Sequence, residues 1–176
     1  MIDWLTVISL SLHLLATVVW IGGLLLMSVL VWPEARAQLA RLGAAEDGRS
    51  LLDYLDRLRK RFIPLANLSL FVLVGTGLYQ MDQDPNYEGL LQFTNAWSQA
   101  MLLKHLCIIG MVIAGGLMQW YVLPTLDRAL LFAKQGKTLP GVPSVEALRR
   151  RERRLVTFNT VLGLLVLVFT AIATSL

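Results

Sequence analysis

The stretch WLTVISLSLHLLATVVWIGGLLLMSVLVW, residues 4–32, decides the fold. It carries no charged side chain over its whole length, and a bilayer's hydrocarbon core, about 30 Å thick, needs about 20 helical residues to cross. Three further runs meet that length: residues 62–81, residues 90–123 interrupted only by Lys104 and His105, and residues 155–176. None shows the alternation of a membrane β-strand. The chain is therefore expected to be all-α, an integral membrane four-helix bundle forming one domain over residues 1–176, with transmembrane helices at about 4–32, 62–81, 95–123 and 155–175. Up-down-up-down is the simplest topology for connections this short, and it sets helices 1 and 3 on a diagonal. Asp3 stands where a signal peptide wants positive charge, and the first run is far longer than a signal's roughly 7 to 15 apolar residues. The first helix is expected to be retained and the mature chain to start at Met1.

Composition agrees: 56% of residues are hydrophobic and 16% charged, against roughly 25% charged in a soluble domain, and the mean hydropathy is +0.61. The single cysteine, Cys107, excludes a disulfide-stapled module and any cysteine-built zinc or iron–sulfur site. A net charge of +4 and a pI near 9.6 would suit nucleic acid, but placement matters more than the sum. Fifteen of the sixteen Lys and Arg residues lie in two segments, residues 33–61 and 124–154, while residues 82–96 hold Asp82, Asp84 and Glu88 with no Lys or Arg. The positive-inside rule makes the two basic segments cytoplasmic and puts both termini outside, in an inner or plasma membrane. The basic runs, including Arg149-Arg-Arg-Glu-Arg-Arg154, then set topology and touch anionic lipid, and no nucleic-acid partner is expected.

Local signals place the helix ends. Pro64 is expected in the first turn of the second helix and Pro124 at the end of the third. Leucines at 39, 42, 51, 52, 55 and 58 suggest a short amphipathic helix within residues 35–58 at the cytoplasmic surface. Residues 137–144, with Pro140, Gly141 and Pro143, suggest a flexible turn.

Chemistry must come from what is polar inside the membrane: His13, Lys104, His105 and the neutral Asn67, Gln119 and Asn159. An ionisable residue within a span is costly, so its default role is functional. His13 lies 19 residues before Trp32 and His105 lies 19 before Pro124. At about 1.5 Å per residue both stand roughly 28 Å from the cytoplasmic boundary, in one layer of the outer leaflet. Diagonal axes about 11 to 14 Å apart would suit two imidazoles on either side of one haem iron. Two histidines alone make an incomplete zinc site, whereas a haem ring supplies four further nitrogens.

Gly75 and Gly77 lie where helices can part for a flat ring, or serve as ordinary packing positions. Trp20 follows His13 at i+7 and could floor such a pocket. Lys104 either snorkels to the outer interface or pairs with a haem propionate, ligates iron, or holds an anionic substrate. Met101, one turn before His105, allows a soft Cu(I) site, with gap filling as the alternative.

The segment His13-Leu-Leu-Ala-Thr-Val-Val-Trp20-Ile-Gly-Gly-Leu24 resembles the first-helix signature of the copper resistance D (CopD) family and of the related HemJ-type protoporphyrinogen oxidases: a histidine, a tryptophan seven residues on, then glycine. Leu-Leu-Lys104 resembles the lysine-bearing third helix of both, and Arg153-Arg-Leu-Val-Thr-Phe-Asn159 their arginine-rich entry to the last helix. The resemblance implies a four-helix membrane protein binding haem b, with His13 as axial ligand and Lys104 as a second functional position. The chain departs from the HemJ type at Thr160, where an acidic residue is expected, and at Trp32-Pro33-Glu34. His105 carries over from neither family and rests on depth alone.

The expected function is a haem b-binding subunit, a b-type cytochrome passing electrons between a membrane carrier and an outer-face partner. His13 and His105 would be its metal ligands, and Lys104, Trp20, Gly75 and Gly77 would line its cofactor site. The alternatives are CopD-like copper transport or uptake, and HemJ-like porphyrinogen oxidation, so enzymatic activity stays open. Expected partners are the lipid bilayer and, within it, a redox partner, a larger complex or further copies of the chain.

Overall fold

The computed structural model describes residues 2–42, 46–89, 94–134, 141 and 143–176. Every regular element among the described residues is helical: α1 (Trp4–Thr17), α2 (Gly23–Leu25), α3 (Trp32–Leu42), α4 (Glu46–Asp82), α5 (Ala96–Leu117), α6 (Leu123–Lys134) and α7 (Val145–Thr174). Wide π-helical turns at Val18–Gly22, Leu26–Val31 and Met118–Val122 join α1 to α2, α2 to α3 and α5 to α6 without a break. Four helices are long and apolar enough to cross a membrane: Trp4–Ala35, Ser50–Asp82, Ala96–Leu130 and Val145–Thr174. At most 17% of the most apolar window of any span is buried inside the protein. The leucines, valines and isoleucines therefore face outward, which is stable only against lipid.

Helices in hydrocarbon must satisfy their own polar groups, and the hydroxyls here do so by bonding back one turn. Thr17, Thr76, Thr160 and Thr170 each donate to the carbonyl four residues earlier. Helix starts are capped: Asp3 accepts from Leu5 N–H, Asn95 and Ser98 form a reciprocal capping box on α5, and Ser144 accepts from Ala147 N–H on α7.

The helices outrun the apolar runs that betray them. Pro33 and Pro124 do not end their helices, which continue to Leu42 and Lys134. Proline clashes with the carbonyl four residues back, here Val29 and Trp120, and each of these lies in a π-turn whose wider ring moves that carbonyl aside. Pro64 is not in a first turn, because α4 begins at Glu46 and carries Pro64 inside it. With 37 residues α4 is about 56 Å long, nearly twice the hydrocarbon thickness. The amphipathic stretch expected as a separate helix within residues 35–58 is instead the end of α3 and the start of α4. Residues 137–140 and 142 of the expected turn lie outside the described residues.

The chain forms two units, Met1–Leu90 and Leu91–Leu176. In the first, α1 and α4 run antiparallel, because Thr6 meets Tyr79 at one end and Gly23 meets Phe62 at the other. In the second, α5 and α7 run antiparallel, with Gly110 against Leu162 and Gly115 against Asn159. Leu126 and Ala129 of α6 pack with Leu148 of α7 in a small buried cluster.

Candidate functional site

The first unit builds a polar seam inside an otherwise apolar helix pair. Thr6, Ser9 and His13 recur on α1 at i, i+3 and i+7, the spacing of one helix face, and meet Thr76, Tyr79 and Gln80 of α4. Thr6 Oγ1 donates to Asp3 Oδ2, so its 3.3 Å contact with Tyr79 is a bond donated by the phenol. Gln80 Nε2 donates to Ser9 Oγ at 3.4 Å, and His13 Nδ1 lies 2.8 Å from Thr76 Oγ1. Interhelical hydrogen bonds in membranes contribute about 0.6 kcal/mol each, and these three join α1 to α4. Asp3, at its N-terminal end, has its carboxyl held below the ordinary range, first by the Thr6 hydroxyl and then by backbone N–H groups of the first turn. Sequence inspection picked out His13 alone; the matching spacing of Thr6, Ser9 and His13 was the available signal for the others.

The hydrogen bonds fix the His13 tautomer. Thr76 Oγ1 donates its one hydrogen to the Val72 carbonyl at 2.6 Å, so toward His13 it accepts, and Nδ1 carries the proton. In the neutral ring Nε2 then holds the lone pair. The imidazole lies beside α4 at Gly77, where a Cβ would stand 3.4 Å from His13 Cε1 in ordinary van der Waals contact, whereas Gly75 has nothing within 4 Å of such an atom. Trp20 is half-buried in the first π-turn. Because that turn is wider than an α turn, seven residues from His13 no longer equal two α turns.

In the second unit His105 reaches the same state by another route. Its Nδ1 lies 2.6 Å from the Met101 carbonyl oxygen, which only accepts, so Nδ1 is the donor and Nε2 again holds the lone pair. Met101 thus meets His105 through its backbone oxygen, which is the support a metal-ligating imidazole uses. His105 stands nine residues into α5, as His13 stands nine residues into α1, each about 14 Å along its own helix. Depth is better counted from these capped starts than from Trp32 and Pro124, where the helices do not end. Lys104 is half-buried and forms no ion pair among the described residues, and Cys107 is a half-buried free thiol. Asn159 is buried beside Gly115, and its Oδ1 has no hydrogen-bond partner among the described residues.

No group of three or more His, Cys, Asp and Glu side chains that could hold a metal occurs among the described residues. The structure therefore offers one imidazole in each unit, each in the tautomer that ligates through Nε2.

Residues 56–173, more than half of the chain, match the family model of copper resistance protein D. The match includes Thr76, Gly75, Gly77, Lys104, His105 and Asn159, and begins beyond His13 and Trp20. No curated protein and no solved structure matches the chain.

Proposed function

The chain belongs to the copper resistance protein D (CopD) family, and from that membership we propose that this multi-pass membrane protein takes up copper or carries it across the bilayer. Copper is the cargo. The family match supports this reading over the haem b subunit that depth and resemblance ranked first, and the donor chemistry fits it. Imidazole suits copper among the first-row metals, and His13 and His105 both ligate through Nε2 when Nδ1 donates to Thr76 and to the Met101 carbonyl. A cargo ion must be released as well as bound. One imidazole beside hydroxyl groups holds a cation more loosely than the three- and four-ligand cages of resident metals. By the positive-inside rule the protein sits in the plasma or inner membrane with residues 33–61 and 124–154 in the cytoplasm and both termini outside. Vesicles reconstituted with the protein should accumulate copper, and His13→Ala and His105→Ala should each slow that uptake about tenfold or more, by analogy with loss of a ligand's support. Uptake at the original rate in both variants would overturn the copper reading.

A second reading keeps haem b, and the observation that supports it is that His13 and His105 each donate through Nδ1, which leaves the Nε2 lone pair that would hold haem iron. When bound, haem would supply one-electron transfer. Within one unit His13 would offer iron its Nε2, and within the other His105 would do so with Lys104 next to it in sequence. A partner protein, a larger complex or a second copy of the chain would then receive the electron. An absorption spectrum of the purified protein separates the readings: a Soret band that His13→Ala removes supports haem, and a colourless protein that retains copper supports transport. Porphyrin fluorescence from the same membranes tests porphyrinogen oxidation through Lys104.

A further inference from the structure

At the amino-terminal end of α7, Ser144, Glu146, Ala147, Arg150, Arg151 and Arg154 line a cleft of about 330 Å³. The inward face of the helix is marked by Leu148, Glu152, Asn159, Gly163 and Val166, all buried. At 100° per residue, Arg150, Arg151 and Arg154 centre on the side of the helix turned away from that face, and all three are exposed. Arg149 and Arg153, from the same basic run, do not line the cleft.

The arginine side of α7 continues as an apolar stripe. Phe158, Val161 and Leu165 follow Arg154 at i+4, i+7 and i+11, the repeat of one helix face, and they are 51%, 50% and 38% exposed. From Arg154 to Leu165 the helix rises about 16 Å, close to half the hydrocarbon thickness. Three guanidinium groups thus sit at the edge of the apolar span with one leaflet's length of exposed hydrocarbon-facing side chains in line with them.

We propose that this stripe binds one anionic glycerophospholipid, its phosphate diester among Arg150, Arg151 and Arg154 and an acyl chain along Phe158, Val161 and Leu165. Guanidinium forks match phosphate oxygens in pairs. Glu146, the one carboxylate on the cleft among the described residues, leaves it positive overall while disfavouring a second negative charge. That selects a singly charged diester over a phosphate monoester. The site is independent of whether copper or haem is the protein's business.

The test uses the whole protein in nanodiscs with phosphatidylglycerol titrated against phosphatidylcholine, bound lipid being counted by native mass spectrometry. Arg150→Gln with Arg154→Gln should weaken phosphatidylglycerol binding about tenfold or more. Arg149→Gln with Arg153→Gln, an equal loss of charge, should leave it unchanged. Equal loss in both pairs would reduce the effect to bulk charge and overturn the site, as would no loss in either. On the unaltered protein, short-chain phosphatidylglycerol should displace the bound lipid where inorganic phosphate does not. Equal displacement by both would assign the cleft to free phosphate and overturn the lipid proposal.

Discussion

His13 Nδ1 and Thr76 Oγ1 stand 2.8 Å apart across 63 residues of sequence, and the Thr76 hydroxyl hydrogen is committed to the Val72 carbonyl. The threonine is therefore an acceptor that holds the imidazole as its Nδ1–H form, with the ring's lone pair on Nε2. Thr76→Val keeps the shape and removes the acceptor. Copper affinity should drop about 10- to 100-fold, the usual effect of losing a ligand's supporting bond, while Thr76→Ser should retain it. Copper binding by Thr76→Val equal to that of the original protein would separate the hydrogen bond from the ligand's function.

Close approach at the other end of the same helix pair makes a stability prediction. A Cβ on Gly23 would fall 2.3 Å from Phe62 Cε2, so Gly23→Ala forces the ring to swing away. The expected cost is about 1 to 3 kcal/mol, typical of overpacking. Trimming the ring with Phe62→Leu in the same chain should recover part of it, as coupled neighbours do. Thermal unfolding in detergent of the two single variants and the double reads the coupling directly.

Asn159 predicts the opposite sign. Its Oδ1 is buried with no partner among the described residues, and an unsatisfied buried acceptor costs about 1 to 3 kcal/mol. Asn159→Leu, of similar size, should raise the unfolding temperature in detergent. A fall would mean that the amide oxygen accepts a bond from a bound donor such as a water molecule.

Acid should loosen the first turn of α1. The Asp3 carboxyl is lowered chiefly by the Thr6 hydroxyl. A depressed carboxyl stabilises the folded form above its unfolded pKa, about 4, and that stabilisation is lost as pH falls through the lower folded value. Protection of the first-turn N–H groups, measured as amide exchange relative to the intrinsic rate at each pH, should therefore fall below about pH 4, and Asp3→Asn should flatten that dependence. Unaltered dependence in Asp3→Asn would show that another group controls the cap.

Topology can be tested on a Cys107→Ser background. Asn86→Cys, in the segment without Lys or Arg, should react with a membrane-impermeant thiol reagent applied outside. Gly136→Cys, in the basic segment, should be protected until the membrane is opened. The reverse pattern would put the His13 and His105 ends of α1 and α5 on the cytoplasmic side.

The apolar runs, the acidic segment between the second and third of them, and the isolation of His13, Lys104 and His105 were all legible in the chain. Each depends on composition along one helix length, which the bilayer reads in the same way. Helix ends were less legible. Pro33 and Pro124 look like terminators, yet π-turns carry the chain past both, and a π-turn leaves no composition signal of its own. The partner of His13 was not legible at all. Thr76 is one threonine among many until α1 and α4 pair in a register that sets it opposite position 13, as Phe62 becomes a constraint only opposite Gly23. Sequence by itself determined that the chain enters lipid and which side chains are costly there, because transfer into hydrocarbon is a property of each segment alone. Only the tertiary structure decided which atoms satisfy those side chains, because a hydrogen bond across two helices depends on their relative register to within a fraction of an ångström.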